Sequence, residues 1–451
     1  SYSNIRAVLK NNNLTIEVYR QAIEKTTGAG IESYVNYSNQ FINNRIDHKR
    51  EMTGKIRINE RSVSFLQWSR RSLNNIKNDK CYYASVEVPL SEQEVLTFLF
   101  KSNEKYIKRN YLDVIRSLQI IEKTEAPYER KIQQVKNPSW NDKTASAYDE
   151  YFGEESKLRW GIFETGAPVN FTALKEIEEK VNYTFPILLY YTGILENKEM
   201  HPKLAIALQN AKMENRMLEL TLQTVAQTPG KGNMVYDVLD GKYDIYLKNY
   251  ANEVVKYGEP ILFRLGNEMN GDWCVYSSHH TSKDTEIFKA FYRYIYQIFA
   301  DEGAENVIWV WNPNGKAFPD FKWNDELCYY PGDEYVDVIG MTSYNTGTYY
   351  EGETWTEFDS VYDSLYEKYI DRYEKPLMIT EFSSSSVGGN KEAWVSNMFR
   401  HIDRYDRIKV AVWWDGCDWD AEGNIARSYF IDETEGLVQI FRENLAKYKW
   451  N

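Results

Sequence analysis

The chain has 451 residues, 43% of them hydrophobic and 27% charged, with a net charge of −12. That is the composition of a folded protein with enough length for more than one core, and it excludes a disordered chain. No run approaches the ~18 consecutive apolar residues of a membrane-spanning helix. Cys81, Cys274, Cys328 and Cys417 show no CxxC or Cys/His spacing, so neither a metal site nor a cofactor is expected. The neighbouring His279 and His280 lack metal-site spacing and read as loop histidines. No nucleic-acid partner is expected either.

Charge is unevenly spread. Residues 1–136 hold 23 Lys and Arg against 15 Asp and Glu, which leaves −20 on the remainder. Two folding units with different surroundings follow from that asymmetry. The basic unit could face an anionic wall, membrane surface or matrix, although its charges are interspersed with acids, as on a solvated surface. Of 13 Trp, only Trp68 precedes Trp140. Each large aromatic either packs a core or offers a flat face to a sugar.

In chain order, Ser33–Tyr37, Ser62–Trp68, Tyr82–Val88 and Val95–Phe100 have strand composition. The stretch Asn11–Lys25 reads as either helix or strand. Residues 1–136 are therefore expected to form a mostly β, sandwich-like accessory domain for carbohydrate or matrix. Pro138 and many polar residues mark residues 137–158 as a linker. From Arg159 short apolar runs alternate with amphipathic stretches. The runs are Arg159–Phe163, Pro186–Tyr191, Leu218–Gln223, Ile261–Leu265, Val307–Trp311, Val336–Met341, Leu377–Thr380 and Val410–Trp414. Helical stretches such as Tyr243–Tyr257, Glu286–Asp301 and Lys391–Tyr405 fill the gaps. Eight strand–helix repeats over residues 159–451 predict a (β/α)₈ barrel. A doubly wound sheet would bring a Gly-rich phosphate loop after its first strand, and none follows Phe163.

The active site of such a barrel lies at the C-terminal ends of its strands. The fourth run continues into Gly266-Asn267-Glu268-Met269-Asn270-Gly271-Asp272-Trp273, and the seventh into Glu381-Phe382. Two glutamates on one barrel mouth meet the needs of glycoside hydrolysis. One carboxyl protonates the leaving oxygen, and the other attacks the anomeric carbon.

The string Arg264-x-x-Asn267-Glu268-Met269-Asn270-Gly271-x-Trp273, with Ile379-Thr380-Glu381-Phe382, resembles glycoside hydrolase family 26 from about Trp160 to the C-terminus. The resemblance implies a retaining enzyme with Glu268 as acid/base and Glu381 as nucleophile, and Tyr344 as hydrogen-bond partner of the nucleophile. Two positions depart from the family. Asn267 stands where histidine is usual, as in the wider clan, whose asparagine meets the sugar 2-hydroxyl. Thr342 stands where the family's mannanases often carry Asp.

Further sugar contacts are expected from Trp273, Trp311, Asn312, Trp413 or Trp414, and Arg264. Arg264 reads equally well as an internal ion pair. Tyr349 and Tyr350 are placed at the rim, and Asp415 and Asp418 read as loop acids. The expectation is a monomeric, secreted or cell-surface endo-β-glycosidase acting on β-1,4 or mixed β-1,3-1,4 glucan. Mannan or an exopolysaccharide matrix is the alternative substrate. A polysaccharide-binding protein without turnover is the alternative of another class.

Overall fold

A computed structural model describes residues 6–23, 30–58, 60–117, 139–196, 202–224 and 230–449. Six strands come first: β1 (Arg6–Lys10), β2 (Leu14–Ala22), β3 (His48–Ile58), β4 (Arg61–Arg70), β5 (Tyr82–Ser91) and β6 (Glu94–Ser102). They form one antiparallel sheet in the order β1-β2-β6-β5-β4-β3. Alternation along the strands sends two apolar sets to opposite faces. Val63, Phe65, Val86, Phe98 and Phe100 pack under the helix Lys108–Arg116 through Tyr111, Leu112 and Ile115. Tyr19, Leu66, Trp68, Tyr83 and Leu99 on the other face pack with Tyr34, Phe41 and Ile42 of the intervening segment, and with Trp323 and Cys328 of the barrel.

The region is mostly β, as expected, but it is a single sheet whose second layer comes from helices and barrel loops. The expected sandwich is corrected accordingly. Ser33–Tyr37, expected as a strand, lies within the helix Ile31–Ser38. Residues 14–22 of the ambiguous stretch are strand, while Glu24 and Lys25 lie outside the described residues.

Eight parallel strands follow: β7 (Arg159–Glu164), β8 (Ile187–Ile194), β9 (Met217–Thr224), β10 (Ile261–Leu265), β11 (Val307–Trp311), β12 (Val338–Thr342), β13 (Leu377–Phe382) and β14 (Ile408–Asp415). They close as a barrel, β14 pairing with β7, and the predicted (β/α)₈ architecture is present. Helices such as Asp244–Tyr257, Thr285–Asp301 and Lys391–His401 cover the outside.

The expected linker, residues 137–158, contains the helix Asp142–Phe152, capped by Asn141, whose side chain accepts from Thr144 N. Tyr148, Tyr151 and Phe152 lie on one face at helical spacing. They pack against Ile187, Leu189, Leu262, Ile308 and Val410, which fill the barrel interior. This segment is thus a plug built into the barrel core. Its first two residues lie outside the described residues. A short antiparallel hairpin, Cys417–Trp419 with Ile425–Ser428, extends the chain beyond β14.

Candidate active site

Glu381 ends β13 and is almost fully buried. Its Oε2 lies 2.6 Å from Arg264 Nη1 and accepts from the Tyr191 hydroxyl. Tyr344 Oη donates to Oε1 at 3.1 Å. The donors come from β8, β10 and the residues just after β12, so rigid strands set the carboxylate from three directions.

Arg264 has no exposed surface. Its Nε donates to Thr221 Oγ1 at 2.8 Å and its Nη1 to Asn312 Oδ1 at 3.1 Å. Glu219 Oε1 stands 3.2 Å from Nε without hydrogen-bond alignment. Burial, then opposed by Arg264, pushes the Glu219 carboxyl up to about 8. Burial thus disfavours the Glu219 anion, and the closest charge contact of the guanidinium is with Glu381.

Glu268 sits beyond β10 on the turn Gly266–Glu268, where both Gly266 and Glu268 have positive φ, 58° and 53°. Such a backbone is strained for a glutamate. Its N–H is held by Asn312 O at 2.7 Å. Asn314 Nδ2 donates to Glu268 Oε1 at 2.6 Å and Trp273 Nε1 to Oε2 at 3.1 Å. Asn270 fixes Asn314 through a reciprocal pair of bonds, accepting from its N–H and donating to its carbonyl. Gly271 makes room for Trp273: a Cβ there would lie 2.5 Å from the indole ring. Burial, and then the charge of Glu381, raise the Glu268 carboxyl to about 7, against the two hydrogen bonds. Trp273 is thus a donor that favours the anion.

Both carboxyls line one cavity of about 1530 Å³. Trp273 and Phe318, ring centroids 5.3 Å apart, flank Glu268. Trp414, stacked on Phe163 at 5.1 Å, stands with Tyr344 and Tyr429 near Glu381. Asn267 also lines the cavity. Tyr276 Oη lies 3.3 Å from its Oδ1, which leaves Nδ2 as the group available to a sugar hydroxyl. Tyr350 and Trp419 reach the rim, and Arg427 bridges Asp418 and Glu353 there. Among the described residues no group of three or more His, Cys, Asp or Glu could hold a metal ion.

Several expected sugar contacts are corrected. Trp311 is fully buried against Tyr330 and Tyr373, outside the barrel wall. Asn312, also fully buried, lies under the floor and links Arg264 to Thr342. Trp413 turns outward against Trp394 and Phe441, while its neighbour Trp414 lines the cavity. Arg264 is the internal ion pair described above. Thr342 does not face the cavity, because its Oγ1 is spent on Asn312 and Thr380. Asp415 is buried and accepts from Ile431 N–H, whereas Asp418 reaches the cavity. Tyr191, Asn314, Glu219 and Phe163 escaped sequence reasoning. Tyr191 lies on a recognised strand, but nothing marks a tyrosine there as a partner of Glu381. Asn314 follows Trp311 by three residues, the only hint being its place after a strand end.

The model of "Glycosyl hydrolase family 26" matches residues 221–368, a span that holds Glu268 and Tyr344. Endoglucanase H of Acetivibrio thermocellus is 35% identical over 181 residues, 39% of this chain and 20% of that protein. A mannan endo-1,4-beta-mannosidase of Bacillus subtilis is 35% identical over 164 residues, 35% of this chain and 40% of that protein. The chain therefore spans well under half the length of these curated relatives. The modular endo-beta-1,4-mannanase from Cellulomonas fimi superposes with a TM-score of 0.52 at 17% identity, over 69% of this chain and 75% of that one. That last likeness is one of fold. Motif, barrel and matching segment coincide at β9–β12, and over residues 221–368 the chain matches glycosyl hydrolase family 26.

Proposed function

We propose that the chain is a retaining endo-β-glycosidase, with Glu268 as acid/base and Glu381 as nucleophile. One observation carries the reading: two carboxyls on one cavity have opposite surroundings. Glu268 is pushed up to about 7 by burial and by Glu381, while Glu381 is ion-paired to Arg264. Environments that separate two carboxyls in this way assign acid and nucleophile.

Glu381 attacks the anomeric carbon as Glu268 gives its proton to the leaving oxygen, forming a glycosyl ester on Glu381. Glu268, now a carboxylate, takes a proton from water, which attacks the same carbon and releases Glu381. Arg264, Tyr191 and Tyr344 orient the nucleophile. Asn314 and Trp273 hold the acid.

The cavity exceeds the ~300–1,000 Å³ of an ordinary small-ligand pocket and carries aromatic rings beside both carboxyls. This favours a polymer running through it and internal cleavage. A β-1,4 or mixed β-1,3-1,4 glucan is the preferred substrate, since the Asn267 amide suits an equatorial 2-hydroxyl and a relative is named endoglucanase. The second reading is β-1,4-mannan, which other relatives are named for cutting. A polymeric substrate goes with an extracellular setting.

Hydrolysis of glucan and mannan oligosaccharides of equal length tests this, with product anomers followed by NMR. Retention with Glu381→Gln inactive supports the mechanism, and inversion overturns it. Faster cleavage of the mannan series overturns the glucan preference alone.

A further inference from the structure

The loop that carries the acid, residues 266–284, runs from the barrel mouth into the N-terminal sheet. At its far end Ser282 and Lys283 both have positive φ, 66° and 56°. Consecutive left-handed residues of this kind persist only where their surroundings over-determine them. Here the surroundings are the sheet. Lys283 Nζ, fully buried, donates to Asn39 Oδ1 at 2.9 Å and Ser85 Oγ at 2.8 Å, and lies 3.4 Å from Glu87. Asp284 accepts from Tyr83 at 2.8 Å and Lys101 at 2.5 Å. Trp68 Nε1 donates to Ser282 Oγ at 3.1 Å.

At the near end, Tyr37 of the helix Ile31–Ser38 donates its hydroxyl to Asp272 Oδ2. The Tyr37 ring packs 5.0 Å from His279 and 6.1 Å from Phe321. Asp272 directly precedes Trp273, the indole bonded to Glu268. Trp273 is 51% exposed, so its own packing fixes it weakly. The backbone before it is held from the sheet side.

We propose that Tyr37 is a positioning residue of the active centre: by holding Asp272, the N-terminal region keeps Trp273 on Glu268 and the acid in its proton-donating geometry. The proposal rests on the acid/base assignment of Glu268. It makes the N-terminal region part of the catalytic unit, where the sequence had pointed to a detachable accessory domain.

Two consequences have opposite signs. Misplacing the acid slows cleavage of bonds whose leaving oxygen needs a proton. Loosening Trp273 removes a donor that favours the Glu268 anion, so the proton is held to higher pH.

The test uses the full chain with Tyr37→Phe, which keeps the ring. Its kcat/KM is measured on an unactivated oligosaccharide and on the 2,4-dinitrophenyl β-glycoside of the same sugar, whose leaving group needs no proton. The expected result is about a tenfold loss on the oligosaccharide and less than about twofold on the activated glycoside. The alkaline limb of the oligosaccharide profile moves to higher pH. Asp272→Asn, which keeps the shape and an acceptor oxygen, shows the same pattern more weakly. Equal losses on both substrates, or none on either, overturn the proposal. If wild type cleaves neither substrate, the glycosidase reading itself fails, which is a separate outcome.

Discussion

The two carboxyls of the cavity are supported by different parts of the molecule. The side of the proposed nucleophile is built on strands: Tyr191, Arg264 and Glu381 belong to β8, β10 and β13, and Tyr344 follows β12. The side of the proposed acid is built on a loop, with a left-handed Glu268, a half-exposed Trp273 and a root sunk in the N-terminal sheet. A buried carboxylate that must attack one atom gains from a rigid frame. An acid that gives and retakes a proton needs a surrounding that shifts its pKa, and loops offer more ways to supply one. The root of that loop is held by side chains of the N-terminal sheet.

The largest effects fall on the nucleophile side. Glu381→Gln is expected to lower kcat by about 10⁴-fold or more, since the nucleophile is lost. Arg264→Met leaves Glu381 buried without its cation, and is expected to cost about 3–5 kcal/mol in stability as well as most of the activity. Denaturant unfolding and kinetics on the same samples check both. An Arg264→Met protein with wild-type stability would show that the strand frame does not depend on this ion pair.

Next comes the root of the acid loop. Lys283→Met removes the partner of buried Glu87 and the donor to Asn39 and Ser85. A loss of about 3–5 kcal/mol is expected, read as a lower Tm together with weaker turnover. Deleting residues 1–117 is expected to leave no active barrel, on short substrates as on long ones. A truncated chain that still cleaves short oligosaccharides would restore the accessory-domain reading.

The two sides also separate by pH. In its proposed role Glu268 acts only while protonated, so kcat/KM on oligosaccharides is expected to fall above about pH 7, tenfold per unit at the limit. At the junction of sheet and barrel, burial lowers His48 and His279 to about 4. A group whose folded pKa is depressed holds its full stability above its unfolded value. That contribution is lost as pH falls from about 6.5 toward 4. Melting curves across pH 4–8 are expected to show the junction weakening in acid, while activity is lost in alkali. Stability that is flat from pH 7 to 5 would remove the histidines from the junction.

The barrel was legible because buried parallel strands are near-continuous apolar runs, as Val307–Trp311 shows, and because two strand ends carried glutamates. The sheet–barrel junction was not. Its ions, among them Lys101, Lys283 and Asp284, are scattered along the sequence and look like solvated surface. Part of the basic excess of residues 1–136 faces barrel acids, as Arg71 does with Asp237 and Asp240. The helix Ile31–Ser38 has the composition of a strand because its Tyr and Val have strand propensity and eight residues give little periodicity. In the plug helix, Tyr148, Tyr151 and Phe152 did have readable spacing, but polar neighbours and the nearby Pro138 hid it. Which way Trp311 or Trp413 points depends on register, and a strand-end run of aromatics does not reveal it.

The smallest effect is expected at Thr342, and it bears on substrate choice. Thr342 stands where mannanases of the family that the sequence resembles often carry Asp, which would make it a contact that tells mannose from glucose. In the fold its hydroxyl accepts from Asn312 at 3.0 Å, lies 3.0 Å from Thr380 Oγ1, and has no exposed surface. Thr342→Val keeps the shape and removes those bonds, leaving the Asn312 amide short of one acceptor beneath Arg264. The expected cost is about 1–2 kcal/mol in stability, the usual value for a buried donor losing its partner. The ratio of kcat/KM on glucan to mannan oligosaccharides should stay within about twofold, because the side chain is screened from the sugar by the barrel floor. Asn267→Ala, on the cavity surface, should change that ratio by about 1–3 kcal/mol. A Thr342→Val enzyme with altered preference and an Asn267→Ala enzyme without it would reverse the assignment, and place the specificity contact on the strand side after all.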